Sequence, residues 1–157
     1  MATKKYERKY GLPETIEDLK RHTILLRYTQ NLGYSNKLEN GTETYYIDRG
    51  HRVQHGDAAA CREMLLAGEG LAIDLTPGFV SDYLASGFVF PVLKGWHREP
   101  CHYHVYCRAG SQDDKVLREL MAYVERGVFA TFANQWQFWY GKLWIPMPEG
   151  FVPQAKS

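Results

Sequence analysis

Charge of one sign is missing from this chain. Its 157 residues carry 19 Lys plus Arg against 18 Asp plus Glu, a formal charge of +1, so the broad electrostatic footprint of a nucleic-acid binder is absent. The densest basic cluster, Lys4, Lys5, Arg8 and Lys9, is interrupted by Glu7 and reads as a solvated amino terminus. Long apolar runs are missing too: no stretch approaches the roughly 20 residues of a spanning helix. The opening MATKKYERKYG has neither the apolar core nor the small-residue cleavage site of a secretory signal. Cysteine is scarce and odd in number. Cys61, Cys101 and Cys107 stand in a chain whose 45% apolar content can bury a core without staples, so they read as reduced thiols in a cytoplasmic protein. The length fits one domain or slightly more. No internal repeat or low-complexity tract is present.

What is there alternates between two periodicities. Thr15 and Asp18 have the spacing of a capping box that opens a short helix. TILLRYT, Thr23 to Thr29, is β-branched at its start and reads as a strand. Asn31 to Gly41 reads as a loop, with Asn40-Gly41 as its turn. Thr44–Ile47 and His51–His55 are short strand candidates around an Asp48-Arg49-Gly50 turn. Asp57 is an N-cap for a helix over Ala58–Ala67, with Ala58, Cys61 and Leu65 on one face and Gly68 as its stop. Leu71–Leu75 reads as a short buried strand. A helix from Pro77 to Gly87 carries Val80, Tyr83 and Leu84. Phe88–Leu93 is a strand in which Pro91 marks an edge or a bulge. His102–Arg108 reads as a strand. Asp113–Arg126 reads as a long helix with Val116, Leu117, Leu120, Met121 and Val124 turned inward. Strand and helix in alternation define an α/β architecture with a mostly parallel sheet. Val128–Ser157 differs in kind, being dense in Phe, Trp and Tyr. Such a segment serves equally as a cover for its own sheet or as a sticky surface for a partner.

Catalytic signatures are thin. Ser81 and Ser111 lie in no Gly-x-Ser-x-Gly elbow, and Cys61 is buried by its pattern, where thiols are inert. Glu17-Asp18 and Asp113-Asp114 sit at helix starts, where the dipole accounts for them. Gly68-x-Gly70 follows a helix and precedes a strand, the reverse of a dinucleotide fingerprint. On a strand, His102 and His104 share one face while Cys101 and Cys107 share the other. The two pairs therefore do not converge on one tetrahedral ion, and these histidines are weak metal candidates only. No cofactor is called for, and an enzyme is the least favoured class.

Four stretches in order carry a family likeness. They are Tyr6–His22, with its Gly-x-Pro, Glu-Asp-Leu and His; GDAAACREMLLAGEGLAIDLTP over Gly56–Pro77; Val80–Leu93; and Tyr103–Val124. In this arrangement the chain resembles the effector-binding domain of LysR-type transcriptional regulators. The resemblance implies a type 2 periplasmic-binding-protein-like regulatory lobe, in which a mostly parallel sheet is flanked by helices. A small effector would sit in a cleft between two lobes joined by crossover strands. It also implies a layout of 1–22 as a segment from the first lobe, 23–100 as the second lobe, 101–127 as the return strand and helix, and 128–157 as an aromatic extension. The helix-turn-helix, the linker helix and the first lobe's opening strand and helix have no counterpart here, so no direct nucleic-acid contact is expected.

The expected partners are a small polar effector and either a second copy or a full-length regulator, with no membrane. A docking or dominant-negative module without an effector site is the alternative. The helix start at Gln54, His55, Gly56 and Asp57 is the leading effector contact, because N–H groups at a helix start attract anions. Asp57 itself would repel an acidic ligand. Thr23 and Thr29 flank the first crossover strand and complete the expected set.

Overall fold

The computed structural model describes residues 1–29, 33–34, 36–98, 104–111 and 113–128. In chain order it forms strand β1 (Ala2–Thr3), helix α1 (Lys4–Tyr10), a 3₁₀ turn (Ile16–Arg21) and strands β2 (Thr23–Thr29), β3 (Gly33–Tyr34), β4 (Lys37–Glu39), β5 (Thr44–Tyr46) and β6 (Arg52–Gly56). Helix α2 (Ala58–Ala67), strand β7 (Leu71–Ala72), a second 3₁₀ turn (Pro77–Val80), helix α3 (Ser81–Ala85) and strand β8 (Val89–Phe90) follow. A last helix, α4, occupies residues 115–128.

Strand β2 is the spine. Parallel β6 lies along one edge, with Thr23 opposite Arg52 and Arg27 opposite Gly56. Parallel β7 lies along the other, with Ile24 opposite Leu71 and Leu25 opposite Ala72. Successive residues of a strand face opposite ways, and here both faces are covered. Leu25 and Ala72 enter a core with Cys61, Leu65, Leu75, Val80, Leu84 and Val89. Ile24 and Leu71 enter a second core with Ala2, Tyr6, Ile16, Leu19, Leu38 and Ile47. Double coverage explains why TILL is apolar without alternation. The α/β class with a parallel central sheet is thus observed.

Helix α2 keeps its expected bounds. The Asp57 carboxylate accepts from the Ala60 N–H at 2.7 Å, and Gly68 ends the helix in the left-handed region at φ 74°. Close approach makes two other glycines obligatory. A Cβ on Gly70 would lie 2.8 Å from both Leu25 Cδ2 and the Thr23 carbonyl oxygen, and one on Gly56 would lie 2.9 Å from Ala60 Cβ.

Several expectations are corrected. The amino terminus is not a solvated tail. Lys4, Lys5, Arg8 and Lys9 do face solvent, but Ala2, Thr3 and Tyr6 are buried. Met1 exchanges two backbone hydrogen bonds with Ala72, its amine donating at 2.7 Å and its carbonyl accepting at 3.0 Å. The capping box holds, with the Asp18 carboxylate accepting from the Thr15 N–H at 2.9 Å, but the helix it opens is 3₁₀. The 31–41 loop contains β3 and β4, which pair antiparallel with β2 and β5. Leu71–Leu75 and Phe88–Leu93 shrink to two paired residues each: among the described residues β8 pairs with the equally short β1, and β7 leaves β2 after Ala72, where the Asp74 side chain takes the Arg27 N–H. Residues 104–108 form no strand. Of the expected inner face of α4, Val116 (74%), Leu120 (54%) and Val124 (38%) are exposed, while Leu117 and Met121 are half-buried. Cys101, His102 and the aromatic stretch 129–157 lie outside the described residues.

Candidate functional site

Parallel strands end together, and here they end on charge. The last paired residue of β2 against β6 is Arg27, opposite Gly56. Two residues past β7, Asp74 continues the β2–β7 pairing through its side chain, its Oδ1 accepting from the Arg27 N–H at 3.1 Å. The other oxygen, Oδ2, lies 3.6 Å from Arg27 Nε and 3.5 Å from Arg98 Nη1. Arg98 Nη1 also donates to the Asp74 carbonyl at 3.3 Å. Burial pushes the Asp74 carboxyl up, against the opposing pull of Arg98 and Arg27. A buried carboxylate without partners would be far costlier, and these two guanidiniums are what permit it at this end of the sheet.

The residues expected to bind an effector divide in two. Gln54, His55 and Gly56 lie at this end, in register with Leu25, Leu26 and Arg27, and Asp57 follows them in the chain. Gln54, His55 and Asp57 are exposed and Gly56 is half-buried. Thr29 belongs to the same end of β2 by its place in the strand. Thr23 does not, since it begins β2, roughly 13 Å from Arg27 at the rise of an extended strand. Asp57 spends its carboxylate on capping α2. His104 is exposed, and among the described residues no group of three His, Cys, Asp or Glu side chains gathers around one point.

Arg27, Asp74 and Arg98 were not among the expected site residues. A signal existed: Asp74 interrupts the apolar run LAIDL, and a charge in a buried segment requires a partner.

Two hydrogen-bonded relays could be mistaken for catalytic machinery. In one, Asp48 Oδ1 lies 2.9 Å from His51 Nδ1, and His51 Nε2 lies 2.9 Å from the Tyr45 hydroxyl. In the other, the Tyr6 hydroxyl meets His22 Nδ1 at 2.9 Å. Both histidines are buried, and burial raises both phenols, keeping them protonated. They act as internal ties, the first pinning β5 beside Trp96. Cys61 is buried and free. Burial and then the nearby Asp74 raise its thiol, so it is no thiolate nucleophile.

A parallel sheet wrapped on both faces, with polar side chains gathered where its strands end, defines a type 2 periplasmic-binding-like regulatory lobe. The model of the LysR substrate binding domain matches residues 1–128, and the chain belongs to that family of transcription-regulator sensing domains. No curated protein sequence matches it. Among solved structures it is similar to the full-length virulence activator AphB of Vibrio cholerae, at 24% identity over 62% of this chain and 33% of that one, with a TM-score of 0.51. It is also similar to the CrgA regulatory domain of Neisseria meningitidis, at 25% identity, 55% and 42% coverage and a TM-score of 0.43. The AphB regulatory domain of Vibrio vulnificus follows at 25% identity, 62% and 44% coverage and a TM-score of 0.43. The chain spans less than half the length of the regulators it matches. Among the described residues no helix is long and apolar enough to cross a membrane.

Proposed function

We propose that this chain is a non-catalytic receptor lobe that binds a small polar effector and biases a DNA-reading partner. The observation that carries this reading is the convergence of Arg27, Gly56 and Asp74 at the carboxyl ends of three parallel strands, the end at which open α/β sheets hold ligands. Thr29, Gln54, His55 and Gly56 are proposed contacts. Asp57 contributes by capping α2, and Thr23 is left out because it sits at the opposite end of β2. The lobe proper is proposed to run through residue 98, with 104–128 as the return segment.

The test is a melting-temperature screen of the chain against a panel of polar metabolites. A ligand that binds only the folded state at 100 times its Kd stabilises by about 2.7 kcal/mol. A panel that leaves the melting temperature unchanged overturns the receptor reading.

One observation favours a second reading. The α4 stripe of Val116, Leu120 and Tyr123 is exposed, and contiguous apolar surface marks interaction sites. In this reading the chain docks on another subunit, a second copy or a full-length regulator, with or without an effector. Stabilisation by a partner regulator and by no metabolite selects it.

A further inference from the structure

We infer that residues 93–98 form a strap that passes occupancy of the candidate effector site to the β4–β5 hairpin. This rests on the receptor reading above and names how the state of that site is read out. Three consecutive residues of the segment are each fastened to a different element. The Trp96 ring stands edge-on to Tyr45 of β5, with centroids 6.4 Å apart, and the Tyr45 hydroxyl is itself held at 2.9 Å by His51 Nε2. His97 exchanges both backbone hydrogen bonds with Glu39 of β4, at 2.8 and 2.9 Å. The Arg98 guanidinium donates to the Asp74 carbonyl at 3.3 Å and lies 3.5 Å from the same residue's carboxylate. Asp74 in turn accepts from the Arg27 N–H, where β2 ends. The Arg98 carbonyl lies 2.9 Å from His97 Nδ1, which ties the backbone at 98 to the residue bound to β4.

Coupling needs more than proximity; it needs an element with two arrangements. Leu93 supplies one. At φ 57° it is the one non-glycine residue with positive φ among the described residues. It opens a turn that the Trp96 N–H closes on the Leu93 carbonyl at 3.1 Å. Gly95 in the same turn has φ 83°, which costs a glycine nothing. A leucine meets a Cβ–carbonyl clash there, so its left-handed state persists only while the surroundings hold it. Val92, Leu93 and Trp96 pack against the second core and hold the turn from one side. The ties at His97 and Arg98 hold it from the other. An effector at the strand ends that draws Arg98 off Asp74 removes one of those ties, and so favours the released arrangement. Leu93 then relaxes to negative φ, and the His97–Glu39 pair opens more often. The hairpin strand that feels this change, β5, presents the exposed Thr44 and Tyr46.

The test is amide hydrogen exchange by NMR on the whole chain, comparing wild type with Arg98→Gln and Asp74→Asn. The two variants cut the same contact from opposite sides. The Glu39 and His97 amides report the tie to β4. The Cys61 amide, bonded to the Asp57 carbonyl in α2, reports the lobe as a whole. The expected result is that both variants speed exchange at Glu39 and His97 about tenfold or more, the scale of a lost charged hydrogen bond, while Cys61 holds its wild-type rate. The intraresidue HN–Hα NOE of Leu93, strong only at positive φ, should weaken in step. If Asp74→Asn does not fold, Arg98→Lys takes its place, because it keeps the charge and loses the fork. Unchanged rates at Glu39 and His97, a rise in Arg98→Gln that Cys61 shares equally, or a Leu93 NOE that stays at full strength would each overturn the strap. Exchange is read without ligand, so those outcomes leave the receptor reading standing. A metabolite screen that comes back empty would instead remove the receptor reading, and this inference with it.

Discussion

Buried polar groups in this lobe come in matched sets, and each set can be tested at a single side chain. Tyr6 is almost wholly buried and its hydroxyl meets the buried His22 ring at 2.9 Å. Tyr6→Phe keeps the packing but strands a ring nitrogen, and should cost about 1–3 kcal/mol, read from denaturant midpoints. The Met1 amine is a second such group. It donates to the Ala72 carbonyl, and burial lowers its pKa from 8.0 to about 5. Between pH 5 and pH 8 the unfolded chain therefore holds more protons than the folded one, and stability must climb as pH rises. The slope is at most roughly 1.4 kcal/mol per pH unit while this group alone titrates. His22 acts in the same sense: burial lowers its pKa from 6.5, so stability is lost as pH falls below that value. Amino-terminal acetylation should flatten the climb above His22's range and leave the acid side. A pH-independent midpoint would mean that the amine is solvated.

Elements whose signals are local were legible in the sequence, and those that depend on distant partners were not. Helix α2 was readable because its cap, apolar face and stop all lie within Asp57–Gly68. Strand β2 was readable from TILLRYT alone. The extent of β7 and β8 was not: β8 ends with the two-residue β1 it pairs with, and β7 stops at Ala72, beyond which the Asp74 side chain takes the Arg27 N–H of β2. The candidate site was half legible. Gln54 to Asp57 followed from the helix start, whereas the Arg27–Asp74–Arg98 cluster joins residues 24 and 47 positions apart. Two substitutions test the element-level account. Asp57→Ala removes the cap and should lower stability by about 1 kcal/mol, with Asp57→Asn close to neutral. Were Asp57 an effector contact instead, Asp57→Asn would alter ligand response with little change in stability. Gly70→Ala places a Cβ against Leu25 and the Thr23 carbonyl and should cost about 1–3 kcal/mol by overpacking. A circular-dichroism melt equal to wild type would show that β7 does not lie this close to β2.

At the scale of the whole molecule, both described cores fall within residues 2–89, and no residue of α4 belongs to either. The period of Val116, Leu117, Leu120, Met121 and Val124 correctly marked a helix, but period alone cannot say what an apolar face meets. That depends on what covers the helix, which its own residues do not encode. The consequence is measurable. Leu120→Lys and Val116→Lys alter side chains that are more than half exposed, so each should change folding stability by no more than about 0.5 kcal/mol. The same changes place charge on the apolar stripe and should weaken any association that uses it, seen as a lower sedimentation coefficient or loss of a concentration-dependent melting temperature. Leu25→Ala, in the core between β2 and α2, is the control: it should cost about 2–5 kcal/mol with association otherwise unaltered. If Leu120→Lys destabilised the isolated chain as much as Leu25→Ala, α4 would be part of the lobe's own core and the docking reading would fall. If it left stability intact and abolished self-association, the stripe would be the contact between copies.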